Sequence, residues 1–208
     1  RATPADNLFS RMIAIADAEP DADLSELGLV VNGVFLLVAG FETTVNVIGA
    51  GIDLMLRHPD QPARLQAEPQ GWANAVEEIL RYAPPVQNSF RHLGEDGVLA
   101  GVPVRARKFV VPLLAAANRD PGVFADPHRF DVTRDNAREH LSFALGAHFC
   151  VGAALARLEA EIALRRVFER FPDMSAAGPV TLRPTRMVVG PAHLPVHLRQ
   201  HGGSAAGP

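Results

Sequence analysis

The sequence predicts a mainly α-helical protein with small β-sheets, an α+β class, on three observations. Long stretches with helical spacing of apolar residues or high helix propensity lie at 25–57, 72–82 and 152–171. Short β-type segments separated by Gly94, Gly97 and Gly101 fill 86–112. An irregular segment rich in Pro and Asp, 118–142, follows them. With 208 residues, 48% of them hydrophobic and 21% charged, the chain has ordinary globular composition and enough length for one substantial core.

Bulk properties exclude several classes of partner. The net charge is −3 and the Arg residues are dispersed, with Lys108 the only lysine, so nothing points to nucleic acid. Residues 1–20 alternate apolar side chains with Asp, Arg and Glu, which is no secretory pattern. The longest apolar run, 27–41, contains Asn32 and is followed by Glu42. It reads as too short and too polar for a membrane span, hence as a buried helix of a soluble protein in the reducing cytoplasm.

In chain order, residues 3–18 form a short amphipathic helix with Leu8, Met12, Ile13 and Ile15 near one face. Ser25 and Glu26 can open the long helix 25–57, which His58-Pro59 stops. Being hydrophobic nearly all round, that helix is expected to cross the interior. Inside it lies Ala39-Gly-Phe-Glu-Thr-Thr44. Gly40 costs about 1 kcal/mol relative to Ala in a helix interior, and an acid beside two Thr in a buried segment is costlier still. The plain reading is that the Thr hydroxyls bond back to carbonyls one turn earlier.

A short helix bounded by prolines is expected over 59–69, and a better one over 72–82, ended by Pro84-Pro85. Glu78 and Arg81, three apart, share a face of the second helix. Taken alone they are a solvated pair contributing under about 1 kcal/mol, with Glu77 competing for the Arg. Strand candidates follow at 89–93, 98–99, 102–105 and 109–112, with Arg91 in the middle of the first. Weaker ones lie at 180–182 and 194–198. His193 and His197 are four apart, but Pro195 between them prevents a helical metal pair. Residues 199–208, rich in Gly and Ala, are expected to be a flexible tail.

Cys150 is the only cysteine, so an internal disulfide is impossible and three roles remain: inert core thiol, nucleophile or metal-bound thiolate. It stands in the loop 143–152, Phe-Ala-Leu-Gly-Ala-His-Phe-Cys-Val-Gly, directly before the Ala- and Leu-rich helix 152–171 that Pro172 ends. Gly146 and Gly152 let backbone approach a large group, and a helix N-terminus favours an anionic ligand there. Without a second Cys, a structural zinc site or an iron–sulfur cluster is disfavoured.

The spacing Phe-x-x-Gly-x-His-x-Cys-x-Gly resembles the haem-thiolate loop of the cytochrome P-450 monooxygenases, of the soluble bacterial class, and the likeness extends through nearly the whole chain to about Leu198. One position departs: the family usually carries Gly where this chain has Ala144. If that site needs a positive φ, Ala costs about 1 kcal/mol.

The resemblance implies haem b (iron protoporphyrin IX) with Cys150 as the iron ligand and Phe143 beside it. It assigns His148 and Arg91 to the haem propionates, Ala39 and Gly40 to space for dioxygen, Glu42 to proton delivery, and Thr43 to holding dioxygen and its water. It also makes Glu78 and Arg81 a buried pair joined by an Arg of the meander, for which Arg129 is the candidate. Val86, Asn88, Phe35 and Met187 are candidates to face the substrate, and Arg157 to lie on the side of the electron donor.

The activity implied is hydroxylation of a small hydrophobic organic molecule. Electrons come from NAD(P)H through a ferredoxin or flavoprotein, because no nucleotide-binding glycine loop is present. Family members are about twice as long, and the chain starts at Arg1 without Met, so 1–198 is expected to be a partial haem domain, the C-terminal half only. A second reading therefore stays open: a truncated, non-catalytic haem-binding remnant or an unstable fragment of a longer enzyme. A haem-free structural module would reveal itself as purified protein without haem.

Overall fold

The computed structural model describes residues 3–19, 24–185 and 187–198; the expected tail, 199–208, lies outside the described residues. About half of the chain is helical, with small sheets, the class read from the sequence. The chain divides into two compact units, Arg1–Glu42 and Thr43–Pro208, and one long helix runs through the division.

In the first unit, helix α1 (Leu8–Ala18) begins where the Asn7 side chain accepts a hydrogen bond from the Ser10 N–H at 2.8 Å, a side-chain N-cap. Helix α2 (Glu26–Arg57) opens in the same way, with Ser25 Oγ accepting from the Gly28 N–H at 3.1 Å. The Phe9 ring packs so closely on Gly33 that a Cβ there would come within 2.9 Å of it.

The expectation that α2 crosses the interior holds only for its second half. Val30, Val31, Val34, Phe35, Leu37, Val38 and Phe41 are all exposed, whereas Asn46, Val47, Leu54 and Met55 are buried. A helix apolar on every side needs partners on every side, and before Asn46 the described residues bury only Leu29 fully. The view of this region as too short and too polar for a membrane span is also corrected: by length and composition alone α2 is able to cross one, its best 18-residue window having a mean hydropathy of 1.7. The core helix of a globular protein meets the same criterion.

The second unit holds the core. Helix α3 (Asp60–Ala67) leads into α4 (Trp72–Tyr82), and Pro84 and Pro85 follow its last turn. Val76, Ile79 and Leu80 of α4 pack with Leu54 and Met55 of α2, with Phe130 and Val132 of the meander, and with Ala160, Leu164 and Phe168 of a later helix, Ala153–Arg170. Each of these side chains larger than Ala contributes about 1.5–3 kcal/mol when fully buried. The crossing is tight at Gly51: a Cβ there would lie 2.9 Å from both Leu164 methyls and 3.1 Å from the end of Ile79. Only Gly lets the three helices meet so closely.

Small antiparallel ladders lie outside this core. Strand β1 (Arg91–His92) pairs with β4 (Phe109–Val110), and between them β2 (Gly97–Leu99) and β3 (Val102–Val104) form a hairpin. Ala100 and Gly101 turn that hairpin, with φ of 48° and 80°; a two-residue loop with both φ positive suits the strand twist. Helix α5 (Leu114–Ala117) follows β4, and the Cys-following helix named above is α6 (Ala153–Arg170).

After α6, the two weak strand candidates do not pair with each other. β6 (Thr181–Leu182) pairs with β7 (Pro191–His193), and β8 (Val196–His197) with β5 (Ser175–Ala176). Neither β5 nor β7 carries the alternating apolar pattern of a half-buried strand, so no periodic signal marks them.

Candidate functional site

Glu78 and Arg81 on α4 are both fully buried and joined by a bidentate bridge, Nε to Oε2 at 2.6 Å and Nη2 to Oε1 at 2.8 Å. The remaining guanidinium N–H groups of Arg81 donate to the backbone carbonyls of Asn118, Pro127 and Arg129. All five donors are thus satisfied, which is what makes a buried Arg tolerable. The plain sequence reading, a solvated surface pair, does not hold here.

The third member of this cluster is a correction. Arg129 does not reach Glu78; its side chain is 63% exposed and pairs with Asp131 at 3.2 Å. Arg134 takes the place, with Nε 3.2–3.3 Å from the Glu78 carboxylate and its other nitrogens donating to the carbonyls of Ala125, Asp126 and Arg129. The cause is local. Asp131 Oδ1 accepts from both the N–H and the hydroxyl of Thr133, a turn that brings Arg134 back toward α4. Arg129 contributes only its carbonyl.

From this clamp a second line of bonds reaches the Cys loop. Asn118, fully buried, donates to Ser142 Oγ at 2.8 Å and accepts from the Leu141 N–H at 2.7 Å, while Ser142 Oγ donates to the Leu80 carbonyl. Phe143 therefore starts the loop from a fixed point. Its carbonyl accepts the Cys150 N–H at 2.9 Å, closing the loop on itself.

Within the loop, Ala144 and Gly146 have φ of 59° and 66°. Ala144 is thus in the left-handed region, where Gly would avoid a cost of about 1 kcal/mol. His148 ends a short 3₁₀ turn, Gly146–His148, and is exposed. Cys150 is a free, exposed thiol two residues before Gly152, the N-cap of α6, which offers no side-chain cap. Leu145, Phe149 and Val151 around it are exposed too, Val151 at 90%.

The reading of Cys150 as an inert core thiol is thereby excluded. An exposed sulfur amid exposed apolar side chains, at a helix N-terminus, suits a large flat apolar group carrying a metal. Among the described residues no three His, Cys, Asp or Glu are grouped so as to hold a metal ion by themselves. A metal at Cys150 would have to bring its other ligands with it, as a haem does.

The other expected site residues are placed as follows. Ala39 and Gly40 are exposed on α2, and Glu42 and Thr43 are half-buried on the same helix. Thr44 Oγ1, next to Thr43, donates to Glu159 Oε2 of α6 at 3.3 Å, a contact the sequence reading missed because the partners are 115 residues apart. Arg91 is half-buried and folds back on its own segment, with Nη1 donating to Ser89 Oγ at 2.6 Å and to the Phe90 carbonyl at 2.9 Å. Val86 bridges to Val188, and the Gln87 N–H donates to the Met187 carbonyl. Two of the candidate substrate positions, Val86 and Met187, thus lie on paired stretches of backbone, and Asn88 follows directly in sequence.

Arg157 does not stand free toward solvent. Its Nε donates to Glu77 Oε1 at 2.8 Å, and its guanidinium lies 4.5 Å from the Phe143 ring centre, leaving the side chain one-third exposed. Burial works to raise the Glu77 pKa, but hydrogen bonds from His140 and Arg157, with their charges, outweigh it and hold the carboxyl below its ordinary value.

A cysteine directly before a helix with exposed apolar side chains around it, and a buried Glu-x-x-Arg clamp, are the features on which the resemblance to the haem-thiolate proteins rests. The family profile described as Cytochrome P450 matches residues 3–177, and the chain belongs to that family. It is 50% identical over 201 residues to the putative cytochrome P450 140 of Mycobacterium tuberculosis, covering 95% of this chain and 45% of that protein. It is 46% identical to the 6-deoxyerythronolide B hydroxylase of Saccharopolyspora erythraea, covering 95% and 49%. Among solved structures, the tirandamycin C-bound P450 monooxygenase TamI matches with a TM-score of 0.88 and 36% identity, over 96% of this chain and 50% of that one. The chain spans about half the length of the relatives it matches.

Proposed function

We propose that these residues belong to a haem-thiolate monooxygenase that activates dioxygen and hydroxylates a small hydrophobic organic substrate. The observation that carries this reading is Cys150, a lone exposed thiol held before α6 by the Phe143 carbonyl, with an apolar surface open around it. Named hydroxylases among the relatives support the reaction class.

When bound, the haem supplies the oxygen and redox chemistry, with electron density from the Cys150 thiolate. The chain's own residues bind and orient it. Cys150 ligates the iron, Phe143 fixes the loop, and Arg91 and His148 are assigned to the propionates, whose charge calls for such donors. Glu42 is the proton carrier and the Thr43 hydroxyl holds the water through which protons pass, with Ala39 and Gly40 giving room beside them. Electrons derive from NAD(P)H by way of a ferredoxin or flavoprotein. No membrane partner is proposed. The setting is cytoplasmic, where a lone thiol stays reduced.

A second reading has its own observation. The exposed apolar side chains of α2, from Val30 to Phe41, suit a chain that binds haem without turning over, or one that is part of a longer enzyme.

The test is the absorption spectrum of the purified chain with added haem, reduced under carbon monoxide, beside Cys150→Ser. A red-shifted thiolate-type Soret band that vanishes in the variant is the expected result. A spectrum identical in the two proteins, or no haem uptake, would show that this chain forms no thiolate-ligated haem by itself and would leave the enzyme reading only to a longer protein. Consumption of NAD(P)H with product formation, given a ferredoxin system and a hydrophobic substrate, then separates enzyme from haem-binding remnant.

A further inference from the structure

The clamp around Glu78 leaves its neighbour Glu77 unexplained. Glu77 is buried, with a side chain 3% exposed, yet it belongs to a separate cluster. Oε2 accepts from His140 Nε2 at 3.0 Å and Oε1 from Arg157 Nε at 2.8 Å, while Arg138 approaches Oε1 at 3.4 Å from an exposed position. The tautomer of His140 follows from its second bond. Its Nδ1 accepts the Ser142 N–H at 3.1 Å, so Nε2 carries the proton that points to Glu77.

Two of these three partners of Glu77, His140 and Arg157, touch one ring. The Phe143 ring lies 5.7 Å from the His140 ring centre to centre, and the Arg157 guanidinium sits 4.5 Å from its centroid. Phe143 in turn accepts the Cys150 N–H. A buried carboxylate on α4 thus reaches the cysteine through two side chains and one ring, from segments 80 and 63 residues away in sequence.

We propose that Glu77 is a positioning residue for Cys150: it holds His140 and Arg157 against Phe143 and so fixes the loop that presents the sulfur. Glu78 and Arg81 shape the meander; Glu77 sets the loop itself. Arg157 acts here as a stacking partner, and Lys in its place would keep the charge but lose the planar fork. The step from loop geometry to haem ligation rests on the reading above, whereas the loop's order is a property of the chain alone.

The experiment compares the full chain with Glu77→Gln, Arg157→Lys and Cys150→Ser by two readouts. The first is amide hydrogen exchange without haem. In Glu77→Gln and Arg157→Lys, exchange across 143–152 rises by about tenfold or more, the scale expected on losing a charge-assisted hydrogen bond, while the body of α4 and of α6 is unchanged. The second is the reduced carbonyl spectrum after haem addition, in which both variants lose much of the thiolate-type band at unchanged haem uptake.

Unchanged loop exchange overturns the proposal, as does a rise spread evenly over α4 and α6, which marks general destabilisation. Should Glu77→Gln lose its helical circular dichroism, Arg157→Lys, at a one-third exposed position, decides alone. Cys150→Ser separates the two readings: its loop exchange stays as in the parent, and retention of the thiolate-type band there would sink the haem assignment while leaving the exchange result to judge Glu77.

Discussion

Glu78 and Cys150 lie in the same unit and in the two most readable motifs of the chain, yet one is finished by the protein's own atoms and the other is not. The Glu78 carboxylate receives Arg81, Arg134 and the Asp131 N–H, and it is fully buried. Cys150 is exposed, and so are the apolar side chains flanking it. A buried charge is tolerable only when every lone pair is met, so the clamp has to be complete in the bare chain. The loop has no such obligation, because a thiol tolerates water and its backbone is already tied to Phe143. Architecture is closed within the chain here, whereas the chemistry proposed for Cys150 calls for a group that the chain's own atoms do not supply.

Breaking the closed region has the largest effect. Glu78→Gln leaves Arg81 buried with its charge uncompensated and should cost about 3–5 kcal/mol, the usual penalty for removing one partner of a buried pair. Urea denaturation followed by circular dichroism measures it. A loss below about 1 kcal/mol would mean that the clamp behaves as an exposed pair after all.

Acid probes the same contrast more gently. The folded-state pKa of Glu77 lies below its ordinary value of 4.5, so the unfolded chain takes up a proton first as pH falls. The stability that Glu77 contributes is fully present above 4.5 and is lost as pH drops through the folded-state value. Asp131, held down by its bonds to Thr133 and the charges of Arg129 and Arg64 against the opposing effect of burial, adds to the same slope below 3.8. The denaturation midpoint should therefore fall from neutral pH toward that range, less steeply in Glu77→Gln. Equal slopes in the two proteins would remove Glu77 from the account.

Much of this was legible because the signals are local. Pro84-Pro85 and Pro172 mark the ends of α4 and α6, Ser25 caps α2, and the spacing around Cys150 carries its own identification. What failed to read was non-local. The hydrophobicity of residues 27–41 says that the helix calls for cover and is silent on what provides it; most of its large apolar side chains are exposed there, with Leu29 buried. The Glu77 cluster joins positions 63 and 80 residues apart, and no short spacing reports that. Strand candidates at 180–182 and 194–198 were real, but their partners lack any alternating pattern, so the pairing stayed hidden.

The choice between Arg129 and Arg134 shows the limit most sharply and yields the smallest predicted effect. Both stand in the meander, and the sequence reading took Arg129; only the Asp131–Thr133 turn decides which one faces α4. Arg129 offers Arg81 and Arg134 its carbonyl, which any residue would offer, and its exposed side chain meets Asp131 at 3.2 Å. Arg129→Ala should thus change stability by no more than about 0.5 kcal/mol, as surface substitutions do. Arg134→Ala removes charge-assisted bonds to a buried carboxylate and to three carbonyls, and should cost about 2–3 kcal/mol. Measured side by side in urea, the two substitutions place the third arm of the clamp, and a larger loss at Arg129 than at Arg134 would return that role to Arg129.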